Sequence, residues 1–434
     1  MGRRSISRTL HVAMNGDPVA TLTHNPRTGL RLTYVADWLE REDAIPISLS
    51  LPLSTEPYDG PLVSNYFDNL LPDNVTIRER MQRTLRTDTT APFDLLSAAG
   101  ADCVGALQLS PQQEMKPVRT VTATPVAEPE VAKILRGYRH HPLGMTEDDD
   151  FRISIAGAQE KTAFLEQGGS WFRPHGTTPT THIFKLPLGR VHEHVDLTTS
   201  VYNEWLCLAL ASKLGLPVAK AEIQTFEDVT VLVVERFDRA WSENGRWIIR
   251  LPQEDFCQAL GVASAFKYEA EGGPGIVASH DLLMKSTEPF EDRRTFFRAM
   301  IIYFLLAAID GHAKNFSIQL HAQGRFRLAP MYDVLSAYPV VSKNFPMQKL
   351  KLAMGLHGKN RHYRLNGIGR RHFPSTASLC GFPTATMEEL LDDVLGRVGA
   401  ALMAVANSLG GDFPSAVADP ILEGVRTAAA TLSR

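Results

Sequence analysis

The chain has 434 residues, 44% apolar and 21% charged, with 45 Lys and Arg against 48 Asp and Glu for a net charge of −3. That composition excludes wholesale disorder, fibrous repeats and a globally basic nucleic-acid coat, and leaves room for a local basic patch. A chain this long makes about two or three domains and buries roughly three quarters of its unfolded surface, so its core needs no disulfide or metal staple. The cysteines (Cys103, Cys207, Cys257, Cys380) are scattered without a C-x-x-C pair, which fits a reducing cytosol. Arg3, Arg4 and Arg8 precede no apolar h-region, so the N-terminus is not a secretory signal. Ile6 stands where a myristoylation motif needs Ser or Thr. The longest apolar run, 299–309, falls short of the roughly 18 residues of a membrane span. A cytoplasmic, multi-lobed protein with no membrane contact is expected.

Residues 8–36 alternate apolar and polar around Asn15-Gly16, a strong hairpin signal. A Pro- and Ser-rich loop, IPISLSLPLSTEPYDG, leads into a helical stretch over 65–86 that Pro72 breaks. Residues 110–130 gather Pro, Thr and Val without a period and read as a surface connection. From about 150 strands dominate: Phe151-Arg-Ile-Ser-Ile and Lys161-Thr-Ala-Phe-Leu flank a turn, and Thr181-His-Ile-Phe-Lys-Leu alternates. An amphipathic helix is predicted over 197–214, with Val201, Trp205, Leu208 and Ala211 on its apolar face and a stop at Gly215 and Pro217. Strands over 221–225 and 229–235 follow. Beyond Arg239 the chain reads as helical almost to its end, most apolar over 296–308. Strands followed by helices predict an α+β fold with two lobes.

The sharpest chemical signal is Ala308-Ile-Asp310-Gly-His-Ala-Lys314-Asn315-Phe, which has the D-x-x-x-x-N spacing of a kinase catalytic loop. There the Asp accepts or orients the proton of a substrate hydroxyl, and the Asn amide oxygen reaches a magnesium ion. A Lys between them neutralises γ-phosphate charge. A helix end that turns at Asp310-Gly311 explains the same residues. Asp333, in Met331-Tyr-Asp-Val, follows two alternating stretches, so a hairpin would return it as a second magnesium ligand. An Asx turn or helix N-cap is the plainer alternative.

Lys185, in Thr-His-Ile-Phe-Lys, is similar to the V-A-I-K strand whose lysine pairs ATP phosphates and a helix glutamate, here Glu204. An edge-strand lysine is its alternative. The small-residue turn from Ile155 to Lys161 can cradle phosphates with backbone amides or simply join two strands. Val234-Glu235-Arg236-Phe237-Asp238 lies where a hinge presents backbone groups to an adenine. Each signal is weak alone, but together they occur in the order a bilobal kinase needs. No H-R-D precedes Asp310 and no Phe-Gly follows Asp333, which argues against an ordinary protein kinase. His192-Glu193-His194 lacks a third metal ligand and reads as a surface loop.

The segments FRISIAGAQEKTAFL, THIFKLPLG, VVERFDR, RLPQEDFCQALG, KYEAEGGPGI, IDGHAKNFSI and MYDVLSAYP resemble the HipA toxin kinases of bacterial type II toxin–antitoxin systems. ISLSLPL, NYFDNLLPDN and DLLSAAGADCVGALQL are similar to that family's N-terminal sub-domain. The resemblance spans nearly the whole chain. It implies a bilobal protein-kinase-like fold related to the phosphatidylinositol-kinase and cyclin-dependent-kinase folds. In that fold 1–130 is the HipA-type sub-domain, 131–238 the ATP-binding part of an α/β N-lobe, and 239–434 an all-helical catalytic lobe.

The activity implied is that of an ATP- and magnesium-dependent Ser/Thr protein kinase that phosphorylates glutamyl-tRNA synthetase, stalling translation and favouring dormancy. By motif, Asp310 is then the catalytic base, and Asn315 and Asp333 are the magnesium ligands. ATP is held by Ala156, Gly157, Ala158, Gln159, Glu160 and Lys161, by Lys185, by the backbone around Glu235, Arg236 and Phe237, and by His312, Lys314 and Tyr332. Ser154 falls on the serine that this family autophosphorylates to silence itself, and a dianion there would repel ATP. The implied partner is a dimeric helix-turn-helix antitoxin, HipB-like, that binds operator DNA.

A basic stretch (Lys351, Lys359, Arg361, Arg364, Arg370, Arg371, His372) can supply phosphate contacts or form a solvated face. The family's basic DNA-contacting pair falls on Ser378 and Gly381, so DNA is expected mainly through the antitoxin. Two alternatives stand: a corepressor with dispensable catalysis, and a small-molecule kinase of the aminoglycoside-phosphotransferase type. Intact Asp310, Asn315, Asp333 and Lys185 weigh against the first, and the N-terminal segment weighs against the second.

Overall fold

The computed structural model describes residues 7–113, 118–145, 153–157, 159–192 and 195–434. It forms two compact units, one of Met1–Leu186, Gln224–Ala265 and Ile318–Phe326, the other of Pro187–Ile223, Phe266–Ser317 and Arg327–Arg434. The units interleave along the chain.

In the first unit the strand Arg8–Met14 turns through Asn15 and Gly16, both at positive φ, into Asp17–Asn25. Asn-Gly tolerates that left-handed pair, which matches the twist of the strands it joins. The antiparallel sheet runs in the order Tyr58–Asp59, Gly29–Tyr34, Asp17–Asn25, Arg8–Met14, Leu107–Ser110. Leu10, Val12, Leu22 and Leu32 join Tyr66, Phe67 and Leu96 of the helices Pro61–Asp68 and Pro92–Ala99 in one core. Pro72 divides the expected helix, and its second part, Val75–Leu85, is capped by the Asn74 side chain. A second sheet runs in the order Ala221–Phe226, Val229–Glu235, His182–Lys185, Lys161–Gln167, Ser170–Pro174, Ala123–Pro125. Phe164, Phe184 and Val231 pack there against Val131 and Leu135 of the helix Glu128–Arg136.

The strand predicted from Phe151 is corrected where it is described. Ser154 gives its N–H to the Asp102 carbonyl at 3.0 Å instead of to a ladder. Ile153, Ser154 and Ile155 are all buried, so the in–out alternation of a half-exposed strand is absent there. Phe151, Arg152, Ala158, Glu193 and His194 lie outside the described residues.

The second unit is built on the helices Ser200–Lys213, Ile276–Leu283, Pro289–Leu305, His372–Leu379, Thr384–Ser408 and Ser415–Leu432. Ser200–Lys213 stops at Gly215 (φ +84) as expected, yet it is buried on several sides, with Asn203, Glu204 and Cys207 inside as well as Val201 and Leu208. No helix among the described residues is long and apolar enough to cross a membrane.

The all-helical reading beyond Arg239 is also corrected. Arg239–Trp241 pairs with Ile248–Arg250, and Lys351–His357 pairs with Arg361–Arg364. Gln253–Asp255, Ser317–Leu320 and Phe326–Leu328 form a small sheet, the last two being the hairpin expected between Asn315 and Asp333. In the strand Lys351–His357, Leu352 to Leu356 are buried without a break. Such a run is continuously apolar, and periodicity cannot tell it from a helix.

Candidate active site

In the second unit the apolar helix Pro289–Leu305 ends at Leu306, and Ala307 turns the chain at φ +48. Gly311 is required next, because a Cβ there would lie 2.3 Å from the Tyr303 ring. The loop closes on Asp310: its carbonyl accepts from the His312 N–H at 2.8 Å and from Asn315 Nδ2 at 2.9 Å. Asn315 Nδ2 also reaches the Asp333 carbonyl at 3.4 Å. With its amide nitrogen directed at these two carbonyls, Asn315 keeps its oxygen as an acceptor for a ligand. The three residues picked out by spacing are therefore drawn together by one side chain.

Asp333 sits at φ +58, a left-handed conformation that Asp tolerates better than most residues. The preceding Tyr332 is fixed by its hydroxyl, which donates to the Lys314 carbonyl at 3.0 Å and lies 2.6 Å from Ser317 Oγ. Met331 is anchored in turn, its N–H to the Pro217 carbonyl (2.9 Å) and its carbonyl to the Ala219 N–H (2.8 Å). A carboxylate and an amide oxygen are the hard donors magnesium prefers, with waters and phosphate completing its shell. His312 is 4% exposed and its Nδ1 meets no partner among the described residues. Burial lowers its pKa and keeps the ring neutral at pH 7. An orphaned buried nitrogen suits a polar ligand atom.

Two residues of this half escaped the sequence reading. Asn203 clamps the segment after Asp333, donating to the Ser336 carbonyl and accepting from its N–H, both at 2.8 Å. Tyr268 gives its hydroxyl to Asp310 Oδ1. Neither spacing has a general rule. For Tyr268 the signal was only its place in the Lys-Tyr-Glu segment. Glu204, the expected helix glutamate, is 2% exposed on Ser200–Lys213.

In the first unit, the turn after Ser154 is held from several sides. Ser154 is fully buried, its Oγ donating to the Leu70 carbonyl at 2.8 Å. Gly157 (φ +107) bridges to Pro72 and accepts from the Asp73 N–H at 3.0 Å. A Cβ at Gly157 would lie 2.7 Å from Lys161 Nζ, so the turn needs glycine. Lys161 Nζ donates to the Ala156 carbonyl at 2.6 Å, and Gln159 Nε2 to the Leu186 carbonyl. Glu160 is ion-paired with Arg80. Lys161 and Lys185 face each other in register across adjacent antiparallel strands, 8% and 7% exposed. Directly opposed residues share a sheet face, so both lysines project to the same side of the sheet.

The hinge segment divides. Glu235 is exposed and pairs with His182 at the strand end, and Phe237 is half-buried. Arg236 has its side chain turned inward. Its N–H is bound to the Thr181 carbonyl, and its buried guanidinium bonds to Asp238, Thr180 and the Cys103 carbonyl. Only its own carbonyl is left to offer a ligand.

The chain matches the HipA N-terminal domain family over residues 10–110 and the HipA-like C-terminal domain family over 153–402, more than half its length. It is 34% identical over 348 residues to Y4mE of Sinorhizobium fredii, which carries a kinase name, covering 79% of this chain and 80% of that protein. It is 28% identical over 318 residues to the serine/threonine-protein kinase toxin HipA of Shewanella oneidensis, covering 70% and 69%. The structure of that organism's HipA, solved with HipB and operator DNA, superposes with a TM-score of 0.80 at 23% identity, over 98% of this chain and 97% of that one. The mixed α/β fold is thus the HipA fold. With Asp310, Asn315 and Asp333 joined in one loop system, the chain belongs to the HipA family of serine/threonine-protein kinase toxins.

Proposed function

We propose that the chain moves the γ-phosphoryl group of ATP to a serine or threonine hydroxyl, with Asp310 as the base. The observation that carries this reading is the two-ended hold of Asn315 on the backbone of Asp310 and Asp333. The small-residue turn, Lys161 and Lys185 are the residues assigned to ATP, and Asp310 orients the acceptor hydroxyl on the loop that also carries His312 and Lys314. Asn315 and Asp333 would hold magnesium, which when bound would neutralise charge on the phosphates. Phosphoryl transfer needs little covalent help from protein, so positioning and electrostatics carry the rate.

Ser154 is the proposed site of self-silencing. Its hydroxyl is buried and donates to a carbonyl, so a phosphate on it would have neither that hydrogen bond nor room for its charge, and the turn would be driven out. The protein substrate is a translation component, glutamyl-tRNA synthetase by the resemblance, with growth arrest as the outcome. A HipB-like antitoxin neutralises the chain and carries most of the contact with operator DNA. In support, Arg361 and Arg370 of the basic stretch are paired with Glu269, Glu388 and Asp392, and His372 is buried.

The test is intact mass of dephosphorylated protein after incubation with magnesium and ATP, with Asp310→Ala alongside and peptide mapping to follow. One phosphate on Ser154 of the wild type and none on Asp310→Ala is expected. Transfer retained by Asp310→Ala would move the base elsewhere, and a phosphate on another residue would reject Ser154.

A further inference from the structure

Asp310 is exposed and stands on a loop beyond a helix end, where an aspartate side chain is free to change rotamer. Its Oδ1 nevertheless receives the hydroxyl of Tyr268, and no other donor among the described residues reaches its carboxylate. We propose that Tyr268 is a positioning residue for phosphoryl transfer, holding one oxygen of Asp310 so that the other faces the acceptor hydroxyl. The inference rests on Asp310 acting as the base.

The surroundings of Tyr268 are built for this. Its ring stands edge-on to His312, centroids 4.9 Å apart at 87°. The preceding residue, Lys267, accepts the Ala313 N–H at 3.3 Å, so backbone as well as side chain grips the catalytic loop. The following residue, Glu269, has its carboxylate buried, where it accepts the Gly355 N–H at 2.6 Å and pairs with Arg361 at 3.3 Å. The Tyr268 carbonyl closes the turn by accepting from Glu271 and Gly273. A Cβ at Gly273 would lie 1.9 Å from the Phe266 carbonyl oxygen, and one at Gly275 2.0 Å from Glu269 Oε1. The segment Lys267-Tyr-Glu-Ala-Glu-Gly-Gly-Pro-Gly is thus a close-packed turn, tied at one end to the hairpin Lys351–Arg364, that presents one phenol to one carboxylate. A fixed turn imposes that geometry on Asp310 with far less freedom than solvent would.

Tyr268→Phe removes the hydroxyl and keeps the ring against His312. Initial-rate phosphoryl transfer with magnesium and ATP, read by intact mass, should fall on the order of tenfold to a hundredfold in kcat. The KM for ATP and the thermal midpoint should match the wild type, a split that a merely structural role would not give. Tyr268→Ala, which also removes the ring, should lower kcat at least as far. Wild-type kcat in Tyr268→Phe, with Asp310→Ala inactive, would overturn the positioning role and leave the base assignment standing. A fall in kcat matched by loss of ATP binding or of the thermal midpoint would also overturn it. Transfer retained by Asp310→Ala would overturn both.

Discussion

Two polar motifs of the chain handle their carboxylates in opposite ways. Around Val-Glu-Arg-Phe-Asp-Arg, three guanidiniums and two carboxylates are buried together. Asp102 accepts from Arg239 (2.8 Å), Arg250 (3.1 Å) and both donors of Thr180, while Asp238 accepts from Arg236, Arg239 and the Gly105 N–H. Burial alone would raise the pKa of Asp102, but the guanidiniums of Arg239, Arg236 and Arg250 outweigh it and hold the carboxyl well below the usual range. Burial, only partly opposed by Asp102, brings Arg250 down to about 10. Around Ile-Asp-Gly-His-Ala-Lys-Asn the carboxylate is exposed and meets one phenol. The first carboxylate group has its bonding capacity used up inside the protein, which makes it structural. The second keeps capacity for a ligand, as the proposed role of Asp310 as the base requires.

Removing Asp102 is the severest way to break that contrast. Asp102→Ala leaves three arginines facing one carboxylate without water, and losing one partner of a buried ion pair costs about 3–5 kcal/mol. The expected outcome is loss of soluble yield or a steep drop in the unfolding midpoint. A variant within about 1 kcal/mol of the wild type by denaturant titration would show that the cluster is not held by charge balance. Asp310→Ala, by contrast, should lower transfer by a factor of about 10²–10⁴ and leave the midpoint where it was.

The contrast also marks how much the sequence discloses. Spacing singled out Asp310, Asn315 and Asp333, and the Asn315 side chain does bond to the backbone of the other two. The Asn15-Gly16 hairpin and the break at Pro72 were legible because φ-specific residues act locally. Tyr268 and Asn203 were not legible, since each meets its partner across a long stretch of chain that no local rule covers. The ion pair of Arg236 was not legible for the same reason: its partner Asp102 lies 134 positions away. The strand after Lys351 was lost because burial on both faces erases alternation.

Glu254 sharpens the comparison as a carboxyl buried without a cation. It is wholly inaccessible and meets Ser48 Oγ at 2.5 Å and the Leu49 N–H at 2.9 Å. Burial, only partly offset by these bonds, pushes its pKa up to about 8. The folded state therefore holds a proton that the unfolded chain has released above about pH 4.5. Stability from this group is fully present below that pH and is lost as pH rises through about 8. Glu254→Gln keeps an acceptor for Leu49 and a donor for Ser48 without the titration. Denaturant midpoints should show the variant gaining on the wild type between pH 6 and 9, by about 2 kcal/mol at the upper end. Parallel curves would mean that Glu254 stays ionised in the fold.

The smallest effect belongs to carboxylates that water already satisfies. Arg370 reaches Glu388 at 2.6 Å and Asp392 at 2.7 Å, with both acids largely exposed. Such pairs contribute about 0–1 kcal/mol, because solvent screens the attraction and two long side chains must be held still. Arg370→Ala should therefore shift the unfolding midpoint by less than about 1 kcal/mol, and the shift should vanish in molar salt as screening shortens to about 3 Å. The same neutralisation makes Arg370 a poor phosphate contact, so if the chain joins an antitoxin on operator DNA as proposed, its loss should leave the salt dependence of that binding unchanged. The exposed Lys351, Lys359, Arg364 and Arg371 are the members of that stretch whose removal could flatten the slope, by about one per phosphate released. A flattened slope in Arg370→Ala itself would mean that DNA competes successfully with Glu388 and Asp392 for the guanidinium, and that an exposed ion pair here is a store of binding capacity instead of a sink for it.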